Sequence, residues 1–300
     1  MRLSVPFSHL EERFGAEKAF LLIKEAGIDA TDYSLTSMEK DDSVYNGEGW
    51  QEKAAEIRTL ADQIGVEINQ IHAPFSFPKA KWEDPVYFRE VLMERFKRAL
   101  RIAGIFGAAT AVVHPLHYDS YVGREEEWFE KNMEYYTELL PVAEEAGVMI
   151  ATENMWRNDP RRKTITHDTC SRKEEFIRYV DAMNSKWFVA CLDVGHVGLV
   201  PQTDEPWDFV RALGHDRLQA LHIHDNDYRG DLHKLPYTGI INWTEVARSL
   251  GEIDYQGDFT YETNSLIRAM DDEFLPVGLK FTADVGRHIM SLIDRNRPQK

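Results

Sequence analysis

The sequence predicts an α/β protein that folds as a single (β/α)8 TIM barrel over residues 1–300. Short apolar runs alternate eight times with longer amphipathic stretches, which is the pattern of parallel strands covered by helices. A barrel of this kind needs roughly 250 residues, so the chain has room for long loops. No linker or shift in composition divides it. The alternative, an open doubly wound sheet, has less support because no glycine fingerprint follows the first run.

The eight predicted strands are rich in Val, Ile, Thr and aromatic residues, and several are nearly continuous hydrophobic runs. Such runs are typical of strands that are buried on both faces. In chain order they are LSVPF (3–7), TDYSL (31–35), VEINQIHA (66–73), ATAVVH (109–114), VMIATEN (148–154), WFVACLDV (187–194), LQALHIH (218–224) and DFTYET (258–263).

A predicted helix follows each strand, and each is identified by apolar residues at helical spacing. In the helix at 125–146, Trp128, Tyr136 and Leu139 recur at this spacing, and Gly147 stands where a glycine commonly ends a helix. The predicted helices lie at about 9–26, 49–64, 86–106, 125–146, 172–184, 205–213, 243–250 and 275–294.

The composition is that of an ordinary soluble globular protein, with 43% hydrophobic and 29% charged residues. No segment approaches the ~18 consecutive apolar residues of a membrane-spanning helix. The N-terminus lacks the pattern of a secretory signal. Only Cys170 and Cys191 occur, which argues against a disulfide framework and favours a cytoplasmic location.

The charge balance restricts the partners. With 35 basic and 51 acidic residues, the net charge is −16, so the surface should repel nucleic acid and anionic membranes. A small sugar or polyol is the expected partner. The last helix is expected to dock on the barrel wall, and a homo-oligomer contact through it is an alternative.

Residues able to bind metal stand at the ends of six successive predicted strands. They are His72, His114, Glu153, Asp193, His222 and Glu262, with His196 three residues after Asp193. In a barrel the C-terminal ends of the strands meet at one mouth, where active sites lie. One histidine alone is more often structural. Buried glutamates, however, need a cation or an arginine partner, so the joint pattern favours a metal.

The last four strands each supply one candidate ligand. Carboxylate oxygens and imidazole nitrogens suit Mg²⁺, Mn²⁺ and Zn²⁺. Such a site would leave coordination positions open for two substrate oxygens, and it would acidify the adjacent C–H for removal by a carboxylate. The four candidate ligands are Glu153, Asp193, His222 and Glu262.

A set of motifs carries a family resemblance. They are HAPF, VVHP, ENM, LDVGH, HIHDND, DLHKLPYTGIINW and YET, and they extend from His72 to Glu262 and beyond. In this order and spacing the chain resembles the xylose isomerase-like TIM barrels, in the branch of the sugar phosphate isomerases and epimerases. Each motif alone is weak, and together they are more specific for the superfamily than for any substrate.

Similarity to the ketose 3-epimerases of this group implies one divalent ion, Mn, Mg, Co or Zn. By motif its ligands are Glu153, Asp193, His222 and Glu262, and both glutamates shuttle protons on opposite faces of a cis-enediolate. The resemblance assigns His196 to substrate oxygens. Asp159 stands where the family has Glu, and Arg229 comes one position later than the family's arginine, so both matches are loose.

The same superfamily contains apurinic-site endonucleases that hold three zinc ions. Their ligand set is matched by His72, His114, Glu153, Asp193, His196, His222, Asp231, His233 and Glu262. Sugar isomerase-like relatives carry a similar Asp-x-His followed by a Pro/Gly turn and Ile-x-Trp, which this chain also has. The net charge opposes duplex binding, so up to three ions and a phosphodiesterase activity remain the alternative.

The segment 155–172 is the one basic loop near the predicted ligands, and it contains Arg157, Arg161, Arg162, Lys163 and His167. It is interpreted either as an anion clamp for a substrate phosphate or carboxylate or as a solvated loop. Two aromatic residues, Trp156 and Phe7, are considered for stacking on a sugar ring, against an alternative role in core packing.

Together these features predict a metal-dependent sugar isomerase or epimerase that forms an enediolate. The alternatives are an inosose-type keto-polyol dehydratase, the three-zinc phosphodiesterase and a non-catalytic sugar-binding barrel. Substrate binding or additional metal binding is expected of His72, His114, His196, Asp231 and His233.

Overall fold

The computed structural model describes residues 1–117 and 120–299. Eight parallel strands form a nearly closed barrel in the order β10-β1-β2-β3-β4-β5-β8-β9, and β6 pairs with β7. The strands are β1 (Leu3–Pro6), β2 (Ala30–Ser34), β3 (Glu67–His72), β4 (Thr110–Val112), β5 (Met149–Glu153), β6 (Trp156–Asp159), β7 (Thr164–His167), β8 (Phe188–Asp193), β9 (Leu218–His222) and β10 (Phe259–Thr260). A parallel bridge between Ile223 and Tyr261 joins β9 to β10.

The predicted (β/α)8 barrel is therefore confirmed, and each predicted strand overlaps an observed one. The prediction was wrong for the segment after β5, which was interpreted as a loop. Its strands β6 and β7 form an antiparallel hairpin, in which Trp156 pairs with His167 and Arg157 with Thr166. The alternation of polar and apolar side chains in this short hairpin is too weak to stand out in the sequence.

Helices surround the barrel. They are α1 (Ser8–Phe14), α2 (Ala16–Glu25), α3 (Trp50–Ile64), α4 (Lys79–Glu83), α5 (Pro85–Tyr87), α6 (Met93–Phe106), α7 (Glu125–Ala146), α8 (Lys173–Met183), α9 (Val194–Val197), α10 (Pro206–Arg217), α11 (Trp243–Glu252), α12 (Asn264–Ala269) and α13 (Leu275–Arg295). The predicted helix at 9–26 is divided at Gly15, whose φ of 78° and ψ of 163° are not helical. The predicted helix at 205–213 continues to Arg217 across a kink at Gly214.

The interior of the barrel is filled by a small apolar cluster, separate from the larger core between strands and helices. The cluster contains Val112, Ala151, Val189, Cys191 and Ala220. Successive side chains of a strand alternate between its two faces, so a residue two positions later points the same way. Glu153, Asp193 and His222 each follow a member of this cluster by two residues, so they point into the mouth above it.

Across residues 1–117 and 120–299, none of the helices has both the length and the apolar content required to cross a membrane.

Candidate metal centre

His222 lies at the centre of the predicted ligand set. Its Nδ1 is 3.3 Å from Oε2 of Glu153, 3.7 Å from Oε2 of Glu262 and 4.0 Å from Oδ2 of Asp193. These residues come from β9, β5, β8 and the chain directly after β10, so the barrel brings together side chains that are far apart in the sequence. Three carboxylates and one imidazole therefore surround a single point at the mouth.

The four residues fit a divalent ion. Oε2 of Glu153 and Nδ1 of His222 are buried and have no hydrogen-bond partner among the described residues. Polar atoms in this state are costly unless something else satisfies them. A divalent ion accepts these oxygen and nitrogen donors, and its charge would offset the buried carboxylates.

The pKa values of the two glutamates are shifted in opposite directions. Burial would raise the pKa of Glu153, but His222 and His114 hold it well below the usual value. For Glu262, burial prevails and raises the pKa, although His222 opposes it. The side chain of Glu262 is 21% exposed and that of Glu153 only 2%. Glu262 is thus the glutamate that faces the open side of the mouth.

His72 and His114 extend the centre on the side of β3 and β4. Nε2 of His114 is 3.1 Å from Oε2 of Glu153. The ring of His72 lies 4.6 Å from that of His114 and stacks at 5.6 Å on His222. Burial lowers the pKa of His114 to about 3, so its ring is neutral at physiological pH, which is the form that binds metal or accepts a hydrogen bond.

A second polar group lies on the other side of Asp193. Nε2 of His196 is 3.4 Å from Oδ2 of Asp231, and Nε2 of His233 is 3.1 Å from the same oxygen. Burial opposes protonation of His233, but Asp231 and Glu262 raise its pKa to about 9. Every ligand position named by the resemblance to the zinc enzymes is therefore present in one mouth.

The remaining predicted residues lie apart from this cluster. The ring of Trp156 is 6.3 Å from that of His196, and Trp156 and Arg229 line a cavity of about 700 Å³ beside it. Asp159 binds the turn of the β6–β7 hairpin through the backbone N–H groups of Arg161 and Arg162. Phe7 is not brought to the mouth, because it packs in the hydrophobic core against Phe20 and Tyr33.

Sequence reasoning missed two residues of the centre. Oδ2 of Asp32, on β2, is 3.5 Å from Nε2 of His222. His224 is fully buried, its Nε2 is 3.0 Å from Oδ1 of Asp193, and its ring stacks at 4.5 Å on His233. His224 stands two residues after His222 in the HIHDND motif, and Asp32 interrupts an apolar strand, so both carried a signal in the sequence.

Comparison with protein families shows a match of residues 20–275 to the xylose isomerase-like TIM barrel family. An uncharacterised protein of Methanocaldococcus jannaschii is 27% identical over 251 residues, which cover 78% of this chain and 80% of that protein. A D-psicose 3-epimerase of Enterocloster bolteae is 31% identical over 121 residues, which cover 40% of this chain and 35% of the epimerase.

Solved structures share the fold. A D-tagatose 3-epimerase-like protein superposes with a TM-score of 0.74 at 23% identity, covering 98% of this chain and 99% of that one. The IolI protein, solved with a bound zinc atom, superposes with a TM-score of 0.69 at 17% identity and full coverage of both chains. At these identities the likeness establishes the barrel and leaves the chemistry to the residues at its mouth.

Proposed function

We propose that this chain, which belongs to the xylose isomerase-like TIM barrel family, is a divalent-metal-dependent sugar isomerase or epimerase. The observation that carries the proposal is the convergence of three carboxylates on His222 at the mouth of the barrel. The sugar epimerases among its relatives support the same class of reaction. A small ketose or polyol is the corresponding substrate class.

Glu153, Asp193, His222 and Glu262 would hold the ion. When bound, it would polarise the carbonyl oxygen of a chelated sugar and so acidify the adjacent C–H. The donor set contains three carboxylates and one imidazole, which suits Mn²⁺, Mg²⁺, Co²⁺ or Zn²⁺. One ion per chain is the simplest occupancy of these four ligands.

The two glutamates have different roles in this proposal. Glu262 faces the open side of the mouth, so its carboxylate is the one positioned to remove a proton from substrate carbon. Glu153 lies deeper, within 3.3 Å of His196 Nδ1. Return of a proton from the Glu153 side to the same carbon inverts its configuration, whereas return to the neighbouring carbon moves the carbonyl group.

His196 is suited to bind a substrate oxygen. It is buried beside Asp193 and Asp231, and these carboxylates raise its pKa well above the usual value although burial opposes this. A protonated imidazole donates from both ring nitrogens. Nδ1 of His196 lies 2.8 Å from the carbonyl oxygen of Asn154, so Nε2 is the nitrogen that would donate a hydrogen bond to a sugar hydroxyl or carbonyl oxygen.

The test is incorporation of solvent deuterium into D-psicose, D-tagatose or D-fructose by Mn²⁺-loaded protein, followed by mass spectrometry and NMR. Glu262→Gln should slow the exchange by about 100-fold or more, because general-base catalysis is lost. Glu138→Gln, on the exposed face of α7, is the matched control and should exchange at the wild-type rate. An unchanged rate in Glu262→Gln would show that this glutamate is not the base.

A three-zinc phosphodiesterase is the second candidate, since the nine positions of that ligand set share one mouth. Metal content of protein purified without chelators separates the two. About one ion per chain favours the isomerase, whereas two or three zinc ions together with incision of an abasic duplex favour the phosphodiesterase. A keto-polyol dehydratase would instead give a product lighter by one water.

A further inference from the structure

The β6–β7 hairpin forms one wall of a cavity of about 640 Å³. The cavity is lined by Ser120, Tyr121, Val122, Arg157, Arg161 and Arg162 among others. The hairpin separates two environments, because paired residues share a face. Arg157 and Thr166 face this cavity, whereas Trp156 and Ile165 line the neighbouring one.

The cavity adjoins the metal centre. Arg157 follows Glu153 by four residues, so their Cα atoms are at most about 14 Å apart. A series of side-chain contacts also connects the two. Nε2 of His114 is 3.1 Å from Glu153, and the His114 ring is 6.0 Å from the His117 ring. Nδ1 of His117 is in turn 3.2 Å from Asp168. The cavity therefore lies near the metal centre, connected to it by the chain from Glu153 to Arg157 and by the contacts of His114, His117 and Asp168.

Arg157 is held by one end of its guanidinium group. Its Nε is 3.9 Å from Oδ2 of the fully buried Asp168. Its Nη1 is buried and has no hydrogen-bond partner among residues 1–117 and 120–299. A buried N–H without an acceptor has an energetic cost. An acceptor that is not part of the chain would remove this cost, and the planar fork of an arginine suits a phosphate or a carboxylate.

The turn of the hairpin carries a second arginine, Arg161, beside an arginine that is paired. Asp159 accepts from the backbone N–H groups of Arg161 and Arg162, at 2.8 and 3.1 Å, and from the Arg162 side chain at 2.6 Å. Arg162 is thereby neutralised. Within the described part of the chain, no carboxylate pairs with the side chain of Arg161, so its positive charge remains available to a ligand.

From these contacts we infer that the cavity binds an anionic group of the substrate, a phosphate or a carboxylate, through Arg157 and Arg161. The inference rests on the proposed function, since it assigns the substrate class of the same mouth. The chain as a whole carries −16, so most of its surface repels anions. A pair of arginines beside the metal centre would select an anionic sugar over a neutral one.

The test is calorimetric titration of the metal-loaded, full-length protein with three matched ketoses: D-fructose, D-fructose 6-phosphate and D-fructuronate. A charged sugar should bind about tenfold or more tightly than D-fructose, because it gains charge-assisted hydrogen bonds that the neutral sugar cannot make. Arg157→Gln and Arg161→Gln should each weaken binding of the charged sugar by about tenfold and leave D-fructose affinity within about twofold. A preference for the phosphate or for the carboxylate identifies which anion the cavity accepts.

Arg248→Gln is the matched control, because it also removes one positive charge but lies on α11 in an ion pair with Glu245. It should leave all three affinities unchanged. Three results would overturn the inference. The neutral and charged ketoses could bind equally, neither charged ketose could bind, or the preference for a charged ketose could persist in both Arg157→Gln and Arg161→Gln. Arginine-dependent binding without deuterium exchange would instead refute only the proposed reaction.

Discussion

At the residue scale, the centre depends on a carboxylate behind the central histidine. Oδ2 of Asp32 is 3.5 Å from Nε2 of His222 and accepts a hydrogen bond from Gln70 at 3.0 Å. A carboxylate in this position orients the imidazole and makes the other ring nitrogen a better ligand. Because Asp32 occupies the Nε2 side, Nδ1 is left to face Glu153 and Glu262.

Asp32→Asn should weaken metal binding by about 10- to 100-fold, since an amide cannot support the imidazole as a carboxylate does. Competition with a fluorescent chelator measures the affinity directly. Asp284→Asn, an exposed change on α13, is the control and should bind as the wild type does. Equal affinities of Asp32→Asn and wild type would exclude this role for Asp32.

A second residue-scale prediction concerns Glu175 on α8, which lies outside the metal centre. It accepts hydrogen bonds from the Tyr121 hydroxyl and from the backbone N–H of Cys170. Burial raises its pKa to about 7. The folded state therefore holds this proton more tightly than the unfolded chain does. The associated stability is present below about pH 4.5 and is lost as the pH rises through about 7.

Glu175→Gln should remove this pH dependence, because glutamine never ionises, and it keeps one acceptor oxygen for the Cys170 N–H while its amide can donate to the Tyr121 hydroxyl oxygen. Between pH 5 and pH 8 the wild type should lose up to about 3 kcal/mol more unfolding free energy than the variant. Urea denaturation at the two pH values measures the difference. Glu174→Gln, at an exposed neighbouring position, is the control and should behave as the wild type does. If the stability of Glu175→Gln and of the wild type changed with pH in parallel, Glu175 would not be the source of the pH dependence.

At the element scale, the short helix α9 packs directly against the chain after β9. A Cβ atom on Gly195 would lie 2.0 Å from Cε1 of His224, which is closer than any side chain tolerates. His224 in turn contacts Asp193, and the Asn226 side chain donates to the carbonyl of Gly195 at 2.7 Å. The close approach of these two elements therefore fixes one side of the metal centre.

Gly195→Ala should push His224 away from Asp193. The expected cost is about 1–3 kcal/mol of unfolding free energy from overpacking, together with weaker metal binding. Gly47→Ala is the control, because its added Cβ would meet its nearest atom at an ordinary 3.6 Å. Thermal denaturation and metal titration of both variants test this, and wild-type values for Gly195→Ala would show that α9 can shift without consequence.

At the scale of the whole molecule, the barrel gathers carboxylates from distant parts of the chain into one mouth. Glu153, Asp193, Asp231 and Glu262 lie among histidines within a few ångströms. The unfolded chain does not assemble this arrangement, so an ion that binds it stabilises the folded state. Stability should therefore depend on metal concentration.

Addition of Mn²⁺ or Zn²⁺ at about 100 times its dissociation constant should contribute about 2.7 kcal/mol and raise the melting temperature by roughly 4–5 °C. Differential scanning calorimetry with and without a chelator measures this shift. Asp193→Asn should abolish most of it, whereas Asp294→Asn, an exposed change near the end of α13, should retain it. A melting temperature independent of metal would contradict a structural contribution from the ion.

The sequence by itself determined the fold class and the end of the barrel at which the polar residues lie. Apolar runs of strand length, separated by helical periodicity, specify parallel strands covered by helices. Since Glu153, Asp193 and His222 lie within two residues of the ends of three of those runs, their positions in the sequence already place them at one rim. The helix ends were less certain, and Gly15 and Gly214 show how a single backbone conformation changes them.

Only the tertiary structure decided which atoms meet. Asp32 reaches His222 across the barrel, and His224 stacks on His233, because the register of neighbouring strands and the packing of side chains set these distances. Likewise, the hairpin that presents Arg157 to a cavity needs pairing between β6 and β7 that the local pattern does not reveal. Residue order determines the strand end on which a side chain stands. Contacts of a few ångströms depend on how the sheet closes into a barrel and on the side-chain rotamers that fit inside it.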